Sequence, residues 1–160
     1  MILVTLGTQD KKFYRLLDAI ENEIKKGNIK DEVVVQAGYS SDFKSKYMKI
    51  FDLIPIDEFD NFISKCDLLI THGGVGSIIT GLKNEKKVIA VPRLKEYGEH
   101  TNNHQLEIIN NFSNSGYILA LKDVQKINKV LDESKKFKPK KYKSNTKKFN
   151  NLIEELINSL

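Results

Sequence analysis

The sequence DLLITHGGVGSIITGL, which spans Asp67 to Leu82, predicts a buried strand, a glycine turn and a helix in direct succession. Residues 67–71 are apolar enough for a buried strand, and the isoleucines and the leucine after the turn recur at helical spacing. A strand that ends in glycines and leads into a helix presents backbone N–H groups and the positive end of the helix dipole. The stretch therefore favours the binding of an anion, and of a phosphate above all.

Two common nucleotide-binding motifs do not occur here. No Gly-Lys-Ser/Thr closes the glycine turn, so the turn does not match the Walker pattern. Nor does Gly-x-Gly-x-x-Gly follow the first predicted strand, so the ordinary dinucleotide signature is missing as well.

The rest of the chain alternates short apolar strands with amphipathic helices. Strands are predicted at residues 1–6, 32–36, 67–71, 87–91 and 117–121, and a short one at 50–54 within the otherwise ambiguous segment 39–54. Helices are predicted at residues 13–24, after Pro55, after Gly76, at 101–113, at 124–131 and from Phe149 to Leu160, whereas residues 93–100 are predicted to form a polar loop. This pattern predicts the α/β class, with a Rossmann-like parallel sheet and helices on both faces.

Length and composition indicate a single folded domain. The chain has 160 residues, of which 40% are hydrophobic and 29% charged, and this suffices for a substantial core. The single cysteine, Cys66, excludes an intramolecular disulfide, and its place beside a predicted buried strand favours a packed thiol in a reducing cytoplasm over a nucleophile. No run approaches the ~20 apolar residues that cross a bilayer, and Met1–Leu6 lacks the basic residues that precede the core of a signal peptide.

The net charge of +5 comes largely from lysines between residues 135 and 148. We expect residues 1–134 to form the body of the domain, and residues 135–160 to form a lysine-rich connector and an amphipathic C-terminal helix of the same domain. A solvated connector is the simplest interpretation of the lysines. Attraction to an anionic membrane surface is a second interpretation. Nucleic-acid binding ranks only third, because no aromatic residues interleave with the lysines.

The predicted loops suggest where a ligand would bind. Parallel α/β sheets bind ligands beyond the carboxyl ends of their strands. Four predicted loops begin at those ends, at Gly7, Gly38, His72 and Arg93. Gly7-Thr8 and the turn from Gly73 to Ser77 together offer backbone donors and two hydroxyls, which suit a diphosphate. The alternative is that the glycines only permit tight turns, but two such loops at one sheet edge favour ligand binding.

Histidines and amides near these loops have several interpretations. His72 could hydrogen-bond a ligand or cap the turn, and nothing in the sequence designates a carboxylate that would orient it as a general base. His72, His100 and His104 lack the spacing of a metal site, so no metal is expected. Residues 102–105, Asn-Asn-His-Gln, lie at a predicted helix start, where asparagine is a good cap. Capping does not account for His104 and Gln105, however, and amides suit the recognition of sugar hydroxyls.

Four motifs, taken together and in order, carry a resemblance to a known family. They are Gly7-Thr8 after the first strand, His72-Gly73-Gly74-Val75-Gly76-Ser77-Ile78, Val91-Pro92-Arg93 and Asn103-His104-Gln105-Leu106-Glu107. Over residues 1–121 the chain resembles the family 28 glycosyltransferase C-terminal domain, and above all its short, stand-alone form. That form includes the soluble subunit of the eukaryotic enzyme that adds N-acetylglucosamine to dolichol-linked sugar, and bacterial subunits of exopolysaccharide and capsule synthesis.

The resemblance implies one half of a GT-B enzyme. Residues 1–134 would bind a UDP-sugar donor, and a separate membrane-anchored partner would hold a lipid-linked saccharide acceptor. The residues implied for the donor diphosphate are Gly7, Thr8, Gly73, Gly74, Val75, Gly76 and Ser77. Those implied for the donor sugar and ribose are His72, Thr80, Asn103, His104 and Gln105.

The same resemblance has consequences for ribose recognition and for catalysis. Thr80 stands where the family often has an acidic residue for the ribose, so this contact would fall to the Thr80 hydroxyl or to nearby Glu85. The catalytic base in this family is usually sought in the acceptor half, so the catalytic residue is left unassigned in this chain. Neither a cofactor nor a metal is implied, because backbone amides and a helix dipole can stabilise the leaving diphosphate.

The function implied is an inverting UDP-sugar-dependent hexosyltransferase subunit. The resemblance favours a β-1,4 linkage, with galactose or N-acetylglucosamine transferred to a lipid-diphosphate-linked sugar in exopolysaccharide or capsule synthesis. A cytoplasmic location is expected, peripheral to the inner face of the membrane through the partner. A non-catalytic accessory subunit and a nucleotide-binding regulator are the alternatives. The glycine turn weighs against the first, and the cluster Asn103–Gln105 weighs against the second.

Overall fold

The computed structural model describes residues 1–143 and 147–158, in which the chain forms six strands and six α-helices. The strands are β1 (Ile2–Thr5), β2 (Val33–Gln36), β3 (Lys49–Phe51), β4 (Leu68–His72), β5 (Lys87–Val91) and β6 (Leu119–Ala120). The helices are α1 (Tyr14–Lys25), α2 (Ile56–Lys65), α3 (Val75–Lys83), α4 (His104–Asn114), α5 (Ile127–Lys136) and α6 (Lys147–Asn158). None of the helices within these described ranges has the length and hydropathy to cross a membrane.

All six strands are parallel and form one sheet in the order β3-β2-β1-β4-β5-β6. The register places Ile2 beside Val33 on one side and beside Leu68 on the other. The chain builds one half of the sheet outward from β1, then crosses to β4 and builds the second half in the opposite direction. The carboxyl ends of β1 and β4 therefore flank the crevice in which such sheets bind ligands. This topology confirms the predicted Rossmann-like α/β class.

Side chains that alternate along the strands build two cores, one on each face of the sheet. On the first face Val4 packs with residues of α1 and α5, among them Leu17 and Leu131. On the second face Leu3 packs with residues of α2, α3, α4 and α6, among them Ile109 of α4. Because both faces are covered, the strands are apolar throughout instead of alternating with polar residues.

The C-terminal helix α6 packs on the domain itself. Its residues Phe149 and Leu156 are buried in the core of the second face. The Phe149 ring makes edge contacts with the rings of Tyr117 and Tyr142, at centroid distances of 5.2 and 4.5 Å. The middle of the apolar side of α6 is therefore covered by its own domain, whereas Ile157 is 58% exposed. Leu160, the last residue of the predicted helix, lies outside the described residues.

Several element boundaries differ from the predictions: β6 is shorter than predicted and α4 begins at His104, three residues later than predicted. β4 extends through His72, which pairs in register with Val91 of β5, so His72 belongs to the sheet and not to the glycine turn. β3 ends at Phe51, short of the predicted strand end. The helix predicted at 124–131 is a 3-10 turn followed by α5, which continues to Lys136 because Ser134 is still buried against the first core. The first lysines of the predicted connector are therefore helical.

Residues 93–100 form a loop of polar residues between β5 and α4, as predicted, with a 3-10 turn at Lys95–Tyr97. Arg93 is fully buried and Glu99 is 2% exposed, whereas the 3-10 turn between them faces solvent. The two charged residues can be buried because they have internal hydrogen-bond partners, which sequence composition does not show.

Cys66 is buried, as expected for a packed thiol. Burial raises the pKa of this thiol, and the thiolate form that acts as a nucleophile is disfavoured accordingly. The structure therefore agrees with a packing role.

Gly81 brings α3 close to the sheet, and this contact yields a prediction about stability. A Cβ at Gly81 would lie 2.6 Å from Val88 Cγ2 and 2.8 Å from Leu69 Cδ2. We expect Gly81→Ala to lower the free energy of unfolding by about 1–3 kcal/mol, because the methyl group overpacks this contact. Gly76→Ala in the same helix is the matched control, since a Cβ there meets nothing within 4 Å. Urea denaturation measures both variants, and equal stabilities would contradict the prediction.

Candidate functional site

The start of α3 lies at the crevice between β1 and β4. The helix begins at Val75, directly after the glycine turn, and no side chain within the described part of the chain caps this end. The first backbone N–H groups of a helix have no partner inside it, and together with the helix dipole they favour an anion. The structure thus brings the predicted glycine turn and the loop after β1 to one edge of the sheet.

Three glycines of the predicted site make room for side chains of the protein itself. A Cβ at Gly7, where φ is +79°, would lie 2.6 Å from the His72 ring, and a Cβ at Gly74 would overlap Cε1 of the same ring. A Cβ at Gly73 would lie 2.8 Å from the Cβ of Gln105. Close packing is therefore sufficient to explain these three glycines. This agrees with the alternative interpretation, in which they serve the fold and bind no ligand.

Close packing against other side chains does not explain Gly76. It is exposed in the first turn of α3, and a Cβ there would meet nothing within 4 Å. Its neighbours Val75 and Ser77 are half-buried, and Thr8 is exposed on the loop after β1. A glycine beside open space at an uncapped helix start permits the close approach of a ligand to the backbone.

A chain of hydrogen bonds runs beneath the glycine turn. The Gln105 Oε1 atom accepts hydrogen bonds from the backbone N–H groups of Gly73 and Arg93, both at 3.0 Å. The Gln105 Nε2 atom lies 3.1 Å from His72 Nδ1, and His72 Nε2 lies 3.2 Å from Ser77 Oγ. Gln105 is 5% exposed and His72 is 8% exposed. The chain therefore connects the ends of β4 and β5 to the first turn of α3.

His72 is neutral at physiological pH. Burial lowers the pKa of its imidazole to about 4, and the nearby Arg93 charge acts in the same direction. Both ring nitrogens already have partners in the protein. His72 therefore lies inside the site, and neither of its ring nitrogens points into the crevice.

The guanidinium of Arg93 joins the loop after β1 to the segment after β5. Its Nε and Nη2 atoms donate to the Leu6 carbonyl, and Nη1 donates to the carbonyls of Lys11 and Glu99 at 3.0 and 3.1 Å. The guanidinium also lies over the Phe13 ring, 4.9 Å from its centroid. Burial lowers the pKa of Arg93 to about 10, so it stays charged at neutral pH.

Sequence reasoning missed this role of Arg93 because its partners are backbone carbonyls far away in the chain. One signal was available. Arginine occurs only twice, at positions 15 and 93, in a chain that otherwise uses lysine. Only arginine offers five donors in a rigid planar fork, so a rare arginine after a buried strand indicates a structural hydrogen-bonding role.

The residues predicted to contact the donor sugar lie at the start of α4. Asn103 is exposed, and its Oδ1 accepts from the backbone N–H of Lys95 at 2.9 Å. His104 has a side chain that is 41% exposed, 3.6 Å from Glu107. Asn102 provides the capping contact, because its Oδ1 accepts from the His104 N–H at 3.0 Å. Gln105 is engaged inside the protein as described above, and its contact with a sugar stays a prediction.

The two candidates for ribose recognition lie at different points along α3. The Thr80 hydroxyl donates to the Gly76 carbonyl at 2.9 Å within α3. Glu85 follows the end of α3 and precedes β5, so it lies toward the amino edge of the sheet. Thr80 is therefore nearer than Glu85 to the start of α3, and the ribose contact of either residue stays a prediction.

A cavity of about 620 Å³ opens at the amino edge of the sheet, opposite the crevice. Two of its charged residues have internal partners: Asp67 accepts from the Met1 amino group at 2.8 Å, and Lys87 donates to the Ser134 carbonyl at 2.8 Å. Doubly wound sheets bind ligands at the other edge. We therefore assign the candidate site to the crevice. Among the described residues, no cluster of three or more His, Cys, Asp or Glu side chains could hold a metal ion.

The sequence matches a known family and two curated proteins. Residues 1–159 match the Glycosyltransferase family 28 C-terminal domain. UDP-N-acetylglucosamine transferase subunit ALG13 of Debaryomyces hansenii is 30% identical over 106 residues, which make up 61% of this chain and 49% of that protein. The protein of the same name from Candida glabrata is 43% identical over 56 residues, 34% of this chain and 25% of that protein. The chain thus matches less than half of the length of these relatives.

Solved structures share the fold. The solution structure of ALG13 superimposes with a TM-score of 0.57 at 21% identity, over 86% of this chain and 87% of that chain. Glycosyltransferase SnogD from Streptomyces nogalater gives 0.53 at 21% identity, over 76% of this chain and 30% of SnogD. The glycotransferase of kitacinnamycin gives a TM-score of 0.60 at 12% identity, over 98% of this chain and 38% of that chain. These likenesses confirm the expected fold of one half of a GT-B enzyme, and the family match confirms the resemblance carried by the four motifs.

The pKa of His72 predicts a loss of stability in acid. The unfolded histidine titrates near pH 6.5 and the folded one at about 4, so between these values only the unfolded chain binds the proton. The free energy of unfolding therefore falls as the pH drops through this window, by about 3 kcal/mol over its full width. His72→Gln cannot take up the proton and should lack this contribution. Urea denaturation should show that the stability gap between wild type and variant narrows from pH 7 to about pH 4.5; a constant gap would contradict the assignment.

Proposed function

This chain belongs to the glycosyltransferase family 28 C-terminal-domain family, and we propose that it is the donor-binding subunit of an inverting, UDP-sugar-dependent hexosyltransferase. The observation that carries the proposal is the uncapped start of α3, where Gly76 faces open space beside Ser77. This helix start lies between the carboxyl ends of β1 and β4, where doubly wound sheets bind nucleotides.

The diphosphate of the donor fits the chemistry of this helix start. Backbone N–H groups of residues 75–77 and the Ser77 hydroxyl are donors, and the loop Gly7-Thr8 borders the same crevice. When the bond to the sugar breaks, negative charge develops on the leaving UDP. Fixed backbone dipoles stabilise that charge in the transition state, so this role does not require a metal ion.

The donor sugar is proposed to lie toward the start of α4. Asn103 and His104 expose their side chains there, one residue from Gln105, whose Cβ lies near Gly73 of the glycine turn. Amide and imidazole groups can both donate to and accept from sugar hydroxyls. For the ribose we propose the Thr80 hydroxyl, since it keeps acceptor capacity while it donates to the Gly76 carbonyl.

The acceptor half is proposed to be a separate, membrane-anchored chain that binds a lipid-linked saccharide. The names of the curated relatives support this division, since both are transferase subunits. His72 is neutral and has both ring nitrogens bonded, so we propose that the base that activates the acceptor comes from the partner.

The pathway is part of the proposal. We infer transfer of galactose or N-acetylglucosamine in a β-1,4 linkage to a lipid-diphosphate-linked sugar, in exopolysaccharide or capsule synthesis. The names of the ALG13 relatives favour N-acetylglucosamine. The chain would then act at the cytoplasmic face of the membrane, held there by its partner.

The experiment that tests donor binding is calorimetric titration with UDP, UDP-galactose, UDP-glucose and UDP-N-acetylglucosamine. Saturable binding of UDP and tighter binding of one UDP-sugar would support the proposal and identify the sugar. If the chain alone binds none of them, the titration is repeated on the complex with its membrane partner. Absence of binding there too would leave the role of a non-catalytic accessory subunit.

Gly76 provides a mutational test of the diphosphate site. We expect Gly76→Asp to keep the fold, because there is open space and a carboxylate at a helix N-terminus is stabilising. The same carboxylate should weaken UDP binding about ten-fold or more, because it occupies and repels the position of the phosphate. Asn22→Asp adds the same charge on the exposed side of α1 and is the matched control. Equal affinities of the two variants, measured by calorimetry, would contradict this site.

A further inference from the structure

The orientation of the Gln105 amide is determined by its surroundings. The Oε1 atom lies 3.0 Å from the backbone nitrogens of Gly73 and Arg93, both of which are donors. An amide nitrogen cannot accept a hydrogen bond, so the oxygen must occupy this position. The NH₂ group of Gln105 is therefore the group that points at His72.

This orientation determines which nitrogen of His72 carries the proton. The Gln105 Nε2 atom donates to His72 Nδ1 at 3.1 Å, so Nδ1 must be the acceptor and has no hydrogen. A neutral imidazole has one hydrogen, which then resides on Nε2. His72 Nε2 lies 3.2 Å from Ser77 Oγ and donates to it. The Ser77 oxygen is thus an acceptor toward the protein, and its own hydrogen is left for another partner.

From this chain of donors and acceptors we propose that Gln105 is a positioning residue, which selects the Nε2–H tautomer of His72 and so directs the Ser77 hydroxyl hydrogen toward the donor diphosphate. The proposal rests on the proposed function, since it names how that site is prepared. It differs from direct contact between Gln105 and the donor sugar. With the opposite tautomer, His72 Nε2 would accept the Ser77 hydrogen, and the hydroxyl could not donate to a phosphate.

The other groups around His72 do not offer a competing donor or acceptor. Arg93 and His100, both from the segment after β5, are the charged and titratable groups whose fields act on the ring. The loop after β1 contributes Gly7 against the ring, and α3 contributes Ser77. Gln105 is the contribution of α4. Among the described residues, Gln105 is therefore the hydrogen-bond partner that sets the tautomer of the His72 ring.

The first test reads the tautomer directly in the protein without ligand. Two-bond proton–nitrogen correlation spectra of ¹⁵N-histidine-labelled protein distinguish a protonated Nε2 from a protonated Nδ1. We expect wild-type His72 to show a protonated Nε2 and a bare Nδ1. A protonated Nδ1 would overturn the proposal, and this measurement requires neither a variant nor any bound nucleotide.

The second test uses Gln105→Glu to reverse the direction of the hydrogen bond between residue 105 and His72 Nδ1. The carboxylate can still accept from the N–H groups of Gly73 and Arg93, but its second oxygen also needs a hydrogen from His72 Nδ1. The added negative charge raises the pKa of His72. Below that pKa the imidazolium donates from both nitrogens and Ser77 is unaffected. Above it, the neutral ring keeps its hydrogen on Nδ1 and takes up the Ser77 hydrogen.

The readout is the affinity for UDP-N-acetylglucosamine, whose diphosphate has no ionisation of its own near neutral pH. We expect the affinity of Gln105→Glu to fall about ten-fold as the pH rises through the pKa of His72 in this variant, which NMR titration measures, as for the loss of one hydrogen bond to a charged group. Wild type and Asn111→Asp, a matched amide-to-acid control on the exposed side of α4, should change equally little over the same pH range. A Gln105→Glu affinity that does not fall through the measured pKa of His72 would overturn the link to Ser77.

The two proposals fail in different ways. If wild type, control and variant all fail to bind the sugar nucleotide, the proposed donor site is contradicted, and the tautomer spectrum alone decides on Gln105.

Ser77→Ala completes the series. It should lose about ten-fold in affinity at every pH and leave the His72 tautomer unchanged. A changed tautomer or an unchanged affinity would overturn the direction of the chain from Gln105 to Ser77.

Discussion

The buried guanidinium of Arg93 is the interaction on which the ligand-facing edge of the sheet depends. It donates to carbonyls of Leu6, Lys11 and Glu99, and so connects the loop after β1 to the segment after β5. Each carbonyl left unpartnered in the interior would cost about 1–3 kcal/mol. Gly7 lies in the connected loop and directly against the His72 ring, so this interaction also positions that loop beside the end of β4.

The same residue acts through its backbone. The N–H of Arg93 is one of the two donors that orient the Gln105 amide, so one position after β5 connects β1 through its side chain and α4 through its main chain. An ion pair supports this arrangement, since Glu99 accepts from Arg15 of α1 at 2.9 and 3.0 Å. Hydrogen bonds therefore join the two loops and the two helix starts at this edge into one connected structure.

The sequence predicted the strands and the glycine turn well, because burial on both faces of a parallel sheet leaves an apolar pattern that is local. The strand at residues 87–91 was predicted with its observed bounds. Gln105 and Arg93 could not be understood in the same way. Their partners lie 6 to 87 residues away and are mostly backbone groups, which every residue has, so no local pattern records them. Gly7 and Gly74 were predicted to bind the diphosphate, with tight turns as the alternative, and the structure adds close packing against the His72 ring as an explanation of both.

The hydrogen bonds around Gln105 exist without any ligand, and this has a thermodynamic consequence. A site whose donors are already ordered loses little conformational entropy when a ligand arrives, so such a site is preorganised. All UDP-sugars share the UDP moiety. The part of the crevice near Gly76 would then bind this moiety with nearly the same free energy in every UDP-sugar. Discrimination between sugars would fall to the exposed side chains of Asn103 and His104, which lie outside this buried hydrogen-bond chain.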